Sequence, residues 1–299
     1  MTKLERRNLR NALLFISPWI IGFTVFVAYP LAASLYYSLC DYSVLKPPIP
    51  VGLDNYTEMF QDPVFWKSLW NTVYFAVIFL PLSTVLALAL ALLLNSGVRG
   101  MPIYRTIFFL PSLTPLIALA ILWMYLLNGE YGVINMFLDF VLKPFGLRSP
   151  AWLQSVTWSK PAIILMSLWG VGRPMVIYLA GLQDVPRQLY EAADLDGASW
   201  LDKTRHVTLP LISPIIFFNV IIGIISTFQV FALPYVVTRG AGGPARSTTF
   251  YTMHMYNAAF RYLRMGYACA MAWMLFLIIF VLTLVIMRAS RKRVYYANK

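Results

Sequence analysis

The sequence predicts an all-α membrane protein with six transmembrane helices, and three observations lead there. Of its 299 residues, 60% are hydrophobic and only 12% are charged, against about 25% charged in ordinary soluble domains. So little charge cannot cover a soluble surface, which makes the bilayer the natural solvent. Six runs long enough to span it, at roughly 20 residues each, lie near 13–36, 70–94, 107–127, 162–182, 211–235 and 267–287. Lys and Arg gather in short segments beside these runs, not in a stripe interleaved with aromatics. The net charge of +12 therefore reads as a topology signal, with membrane lipid rather than nucleic acid as the partner.

The first run follows a basic start, 1–11, with Lys3, Arg6, Arg7 and Arg10. The uncharged stretch from Asn11 to Cys40 exceeds the roughly 7–15 apolar residues of a signal-peptide core, so a retained first span is expected. Pro18, Pro30, Pro81, Pro111, Pro115 and Gly223 fall within the runs, which membrane helices tolerate where neighbours re-satisfy the backbone. The organisation is a cytoplasmic N-terminus at 1–11, a membrane domain at 12–287 containing a long polar loop at 183–210, and a basic cytoplasmic tail at 288–299.

Charge sets the orientation. The N-terminus, the second connection with Arg99 and Arg105, and the tail with Arg288, Arg291, Lys292, Arg293 and Lys299 are basic, so both termini are expected inside. The first outer connection carries Asp41, Asp54, Glu58 and Asp62 against Lys46 and Lys67. The connection before the last span disagrees: it holds Arg239, Arg246, Arg261 and Arg264 with no acid, yet alternation puts it outside. The stretch 129–150 mixes apolar and charged residues and predicts a short interfacial helix.

Catalysis finds no support. The chain has no GxxxxGK[ST] loop, and no nucleophile–base pair or metal-ligand cluster. His206 and His254 stand alone, and Cys40 and Cys269 suit small packing positions. No internal repeat at a fixed period appears, and no intramembrane carboxylate offers a proton relay, which disfavours a secondary transporter or channel working alone.

The longest polar connection, between the fourth and fifth runs, reads as two short helices. Asp184 is a candidate cap for the first and Pro186 suits its first turn. Gly197 permits the left-handed residue that ends it. Ser199 followed by Asp202 resembles a capping box for the second helix, and Pro210 and Pro214 mark the start of span five. On the residues alone this is either a surface helix without a partner or a rigid knob for a groove on one.

The run Glu191-Ala192-Ala193, then Asp196-Gly197-Ala198, then Thr208-Leu209-Pro210 resembles the EAA signature of ABC importer permeases. More narrowly, the chain is similar to sugar-type permeases of the maltose and glycerol-3-phosphate kind. Gly52-Leu53-Asp54-Asn55-Tyr56, Asn71-Thr72, Ala180-Gly181-Leu182-Gln183, Thr238, Gly242-Gly243-Pro244, Tyr256, Phe260 and Gly266-Tyr267-Ala268 extend the likeness over most of the chain. Ala241 is one residue more than the family's spacing there. The Gly-Gly-Pro placement suggests the first permease of a heterodimeric pair.

The resemblance implies an ABC type I importer transmembrane domain in a bacterial or archaeal cytoplasmic membrane, five of whose helices form a core shared with a second homologous permease. It implies a coupling helix at 191–199 docked on an ATPase subunit dimer, through Glu191, Ala192, Ala193, Asp196, Gly197, Ala198, Leu209 and Pro210. ATP and magnesium belong to that ATPase, with no cofactor in this chain, and an extracytoplasmic solute-binding protein delivers a carbohydrate. In such permeases the middles of the fourth and fifth helices face the cavity. The expected solute contacts are Ser167, Trp169 and Arg173, with Asn219, Ser226, Thr227 and Gln229. Polar groups in spans also serve as glue between helices. Arg173, charged inside a span, is open to backbone carbonyls, an acid of the second permease, or an anionic solute such as an acidic sugar or a phosphorylated polyol.

Overall fold

The structure is a computed structural model that describes residues 2–290, so Arg291, Lys292, Arg293 and Lys299 of the expected basic tail lie outside the described residues. The chain begins with α1 (Lys3–Phe23), opened by a capping box between Thr2 and Glu5. A π-helical turn at Thr24–Ala28 joins it to α2 (Tyr29–Ser38). Pro30 explains the turn: it has no N–H for the carbonyl four residues back, and the wider turn, closed by Tyr29 N–H to Thr24 O, absorbs the mismatch. A two-residue antiparallel pair, β1 (Cys40–Asp41) with β2 (Ile49–Pro50), and α3 (Asp54–Gln61) follow.

Next come α4 (Pro63–Leu94), α5 (Met101–Phe109), a 3-10 turn at Leu110–Leu113, α6 (Leu116–Leu126) and α7 (Val133–Leu142). The chain continues through α8 (Ser159–Leu168), α9 (Gly172–Gln183), α10 (Arg187–Leu195) and α11 (Trp200–Lys203). A second π-turn, Thr204–Thr208, leads into α12 (Leu209–Phe228), again just ahead of a proline, Pro210. Last are α13 (Ala232–Thr238), α14 (Tyr251–Tyr256) and α15 (Met265–Ser290).

Among the described residues, four helical stretches are long and apolar enough to cross a membrane: Lys3–Ser38, Pro63–Leu94, Trp200–Thr238 and Met265–Ser290. Two bent pairs complete the six. Met101–Leu113 with Leu116–Leu126 turns through 95°, and Ser159–Leu168 with Gly172–Gln183 turns through 45°. The expected third and fourth spans are therefore broken. At the first break Pro115 forces Thr114 into an extended conformation (ψ 131°). At the second, Pro174 has no N–H to offer Gly170. The fifth span also begins earlier than 211, because α11 runs through the π-turn into α12. The helix expected within 129–150 is α7.

The chain clusters into two units, Met1–Asp62 with Met255–Phe276, and Pro63–His254 with Leu277 onward. In the first, the Asn55 amide donates to the carbonyls of Ser38 (3.0 Å) and Cys40 (2.9 Å), which accounts for the Leu-Asp-Asn-Tyr stretch. Gly266 packs so closely on Cys40 that an added Cβ would sit 2.0 Å from its carbonyl oxygen. Helix α1 buries none of its residues.

Among the described residues, the second unit holds two apolar cores. One gathers Phe75, Trp123, Ile163, Met166 and Phe250, and the other Ala87, Ala91, Met175, Tyr178 and Ile212. Small residues let the helices approach, as expected where dispersion drives association in lipid. An added Cβ on Gly181 would meet Ile215 Cδ1 at 2.1 Å, and one on Gly223 would meet Leu80 Cδ1 at 2.3 Å.

Candidate functional site

Between α9 and α12 the sequence grammar is mostly realised, with two corrections. Asp184 does not cap α10. Its N–H closes on Ala180 O at 3.3 Å, making it the C-cap of α9, and Pro186 takes the N-cap position of α10 without a side-chain bond. The short helix is also Arg187–Leu195, not 191–199, because Gly197 (φ +73°) ends it. There Gly197 N–H bonds Asp194 O (3.1 Å) and Ala198 N–H bonds Ala193 O (2.9 Å). That is the Schellman pattern, which satisfies the helix's last carbonyls. The expected capping box is present: Asp202 N–H donates to the Ser199 hydroxyl (3.3 Å) and Ser199 N–H to the Asp202 carboxylate (3.2 Å). The Ser199 hydroxyl and N–H hold the Asp202 carboxyl below the ordinary carboxylate range, helped by His206 and Arg205.

Further contacts make the loop rigid. An ion pair joins Lys203 to Asp194. The Tyr190 and Thr208 hydroxyls lie 2.9 Å apart. A cavity of about 400 Å³, lined by Asn95, Ser96, Tyr190, Trp200, Lys203 and Thr208 among others, separates the loop from the end of α4. Of the residues expected to couple, Glu191, Ala192, Asp196 and Gly197 are exposed. Ala193 and Ala198 are half-buried, and Leu209 and Pro210 belong to the helical span, with Leu209 packed on the core around Tyr178. Sequence reasoning missed three large apolar side chains offered outward here: Leu195, Trp200 and Leu201, which are 91%, 68% and 65% exposed. The signal was present, since they flank the glycine stop on both sides.

Of the second group of expected residues, Arg173 and Trp169 sit where the two bent spans meet. Gly172 makes the meeting possible, as an added Cβ would lie 2.8 Å from Phe108 O and 3.3 Å from Ser112 Oγ. One residue on, Arg173 donates through Nη2 to Ser112 O at 3.3 Å, with its side chain exposed. Trp169 is half-exposed and stands edge-to-face with Trp123, centroids 5.7 Å apart.

Four of the remaining polar candidates bond within their own helices. The hydroxyls of Ser167, Ser226 and Thr227 donate to Ile163, Ile222 and Ile224 carbonyls of their own helices, and the Asn219 amide donates to Ile215 O. Asn219 is half-buried, while Ser226 and Gln229 are exposed on α12 and its C-cap. Thr227 is a correction: it is 2% exposed. Adjacent helical residues point about 100° apart, so Thr227 turns inward where Ser226 turns out.

A third polar cluster gives the Asn71-Thr72 pair its purpose. The buried Asn71 amide donates to Arg246 O (3.0 Å) and Thr249 O (2.9 Å), and Tyr251 N–H donates to the Thr72 hydroxyl (2.9 Å). Together they strap the segment after α13 onto α4. That segment needs strapping, because Arg239, Gly240, Gly242, Gly243, Ala245 and Arg246 all have positive φ.

Comparison with known proteins agrees with this anatomy. Residues 81–294 match the family described as binding-protein-dependent transport system inner membrane component. The chain is 40% identical over 288 residues to the probable ABC transporter permease protein YesP of Bacillus subtilis, covering 95% of this chain and 92% of that one. It is 35% identical to the sulfoquinovosyl glycerol transport system permease protein SmoG of Agrobacterium fabrum, covering 94% and 91%. In fold it is similar to a chain of a bacterial alginate ABC transporter solved with an alginate pentasaccharide-bound periplasmic protein. The TM-score is 0.81 at 22% identity, with 98% of each chain covered.

Proposed function

The chain belongs to the family of binding-protein-dependent transport system inner membrane components, and from that premise we propose that its α10–α11 loop docks on a separate ATPase that drives the translocation pathway. The protein is a multi-pass, sugar-type ABC importer permease. With a second homologous permease it completes the pathway. ATP and magnesium are bound by the ATPase dimer, and an extracytoplasmic binding protein delivers the carbohydrate. The α10–α11 loop and both termini face the cytoplasm of a bacterial or archaeal cell.

The observation that carries the docking role is the outward presentation of Leu195, Trp200 and Leu201 on a loop fixed at every joint. Large apolar side chains held rigidly in an aqueous compartment mark a protein-binding surface. Force has a route inward: α11 is continuous with α12 through the π-turn, and Tyr190 reaches Thr208 at the root of that span. Moving the loop therefore moves α9 and α12. These two helices carry Arg173, Asn219, Ser226 and, at the C-cap of α12, Gln229, which with Ser167 on α8 and Trp169 at its C-cap are the proposed solute contacts. Thr227 is withdrawn from that set. Relatives named for sulfoquinovosyl glycerol and alginate transport support a carbohydrate solute and admit an acidic one.

Glu191→Lys and Gly197→Pro test the docking role by co-purification and uptake. Both variants are expected to lose the ATPase and transport together. Retention of both functions in both variants would refute the reading.

A further inference from the structure

We propose that the transported saccharide bears an anionic group (carboxylate, sulfonate or phosphate) and that Arg173 and Lys160 are the residues that read it. The inference rests on the carbohydrate-import reading and names the solute's charge class within it.

A cation in a membrane span needs a partner. No Asp or Glu occurs between 63 and 129, between 140 and 183, or after 202, so none of α4, α5, α6, α8, α9, α12 and α13 offers one to Arg173. Among the described residues one hydrogen bond holds its guanidinium, the 3.3 Å contact with Ser112 O. A guanidinium has five donors in a planar fork, so most of its capacity faces outward from the chain.

Lys160 repeats the pattern at the far end of the same bent span. Its Nζ lies 3.3 Å from Asn71 Oδ1 and 4.6 Å above the Tyr74 ring. A ring face and an amide oxygen steady a cation without neutralising it. The two residues are 13 positions apart, at most about 20 Å along helix. Between them stands Trp169, half-exposed beside Trp123. The order cation, aromatic, cation along one span suits a sugar whose ring faces are apolar and whose substituents are negative. A neutral sugar would bring no counter-charge to either cation.

Lys160 is also tied, through Asn71, to the connection that follows α13. The Asn71 side chain that accepts from Lys160 donates to Arg246 O.

The test uses the whole importer reconstituted in vesicles. ATP-driven uptake is measured for maltotriose, trigalacturonate, a sulfonated glycoside and a sugar phosphate. Uptake of at least one anionic member is expected. Arg173→Gln should cut its uptake about tenfold or more, the scale of a lost charge-assisted contact, with partial rescue by Arg173→Lys. Lys160→Gln should raise its half-saturation concentration several-fold, most clearly at low ionic strength. If Arg173→Gln fails to assemble with the ATPase, Arg173→Lys and Lys160→Gln carry the comparison. Equal loss of neutral and anionic uptake in Arg173→Gln would overturn the proposal and point to an acid of the second permease. Transport of maltotriose alone would overturn it and leave the carbohydrate reading standing, whereas transport of no saccharide would sink both.

Discussion

The hydroxyls of Tyr190 and Thr208 lie 2.9 Å apart, and this contact links the middle of α10 to the root of α12. Thr208 is almost fully buried, at 4% exposure, so the link is set in the base of the loop and not on its surface. Its net worth is about 1 kcal/mol, too little to hold the fold together but enough to stiffen a lever.

Tyr190→Phe should therefore leave the complex assembled while lowering the solute moved per ATP hydrolysed. Thr208→Val should do the same, and the double variant should be no worse than either alone, as a shared contact requires. Coupled uptake and phosphate release in vesicles measure the ratio, and additive losses would show that the two hydroxyls act separately.

Gly197 is expected to tolerate size but not shape. No atom lies within 4 Å of an added Cβ, yet φ is +73°. Gly197→Ala should thus cost about 1–2 kcal/mol of backbone strain and weaken ATPase retention about fivefold or more. Gly197→Asn should cost less, since Asn visits this region more readily. Titrated pull-down with the ATPase reads the order, and equal affinity for Ala and Gly would contradict it.

The Asp202 cap should give way in acid. Its folded carboxyl titrates below the ordinary value because Ser199 stabilises the anion. For a lowered carboxyl, the stabilisation is complete above the unfolded pKa of about 3.9 and fades as pH falls through the folded value. Amide exchange in α11, corrected for intrinsic rates, should quicken only below about pH 4. Asp202→Asn should remove that pH dependence, and an unchanged profile would argue against the box.

What the sequence made legible is what is local. Gly197 and the Ser199–Asp202 box were readable because their partners lie within five residues, and the six runs because composition alone marks them. The bends were not, although Pro111, Pro115, Gly170 and Pro174 were in view. Membrane helices absorb such residues where neighbours supply the missing bonds, so a bend depends on packing that hydropathy does not encode. Asp184 was misassigned because α9 runs to Gln183 and claims it first. Asn71 was visible only as part of a likeness, since its carbonyl partners lie 175 and 178 residues away.

The junction of the bent spans allows a comparison between two glycines that look alike in sequence. An added Cβ at Gly172 would meet Phe108 O at 2.8 Å and Phe109 Cα at 3.1 Å, both backbone atoms. At Gly181 the obstacle is nearer, 2.1 Å, but it is Ile215 Cδ1, the tip of a flexible side chain. Distance alone ranks Gly181→Ala as the worse change, and mobility ranks it as the better one. A side-chain tip moves by changing rotamer, whereas backbone on α5 moves only by separating the two spans, at the 1–3 kcal/mol typical of overpacking. Gly172→Ala should therefore lower the complex's unfolding temperature more than Gly181→Ala. It should also lower uptake, because the separation pulls Arg173 away from Ser112. Scanning calorimetry of the purified complex decides the first point and vesicle transport the second. A larger thermal loss for Gly181→Ala would mean that Ile215 is locked in place and that the α9–α12 contact, not the junction, sets the geometry of the pathway.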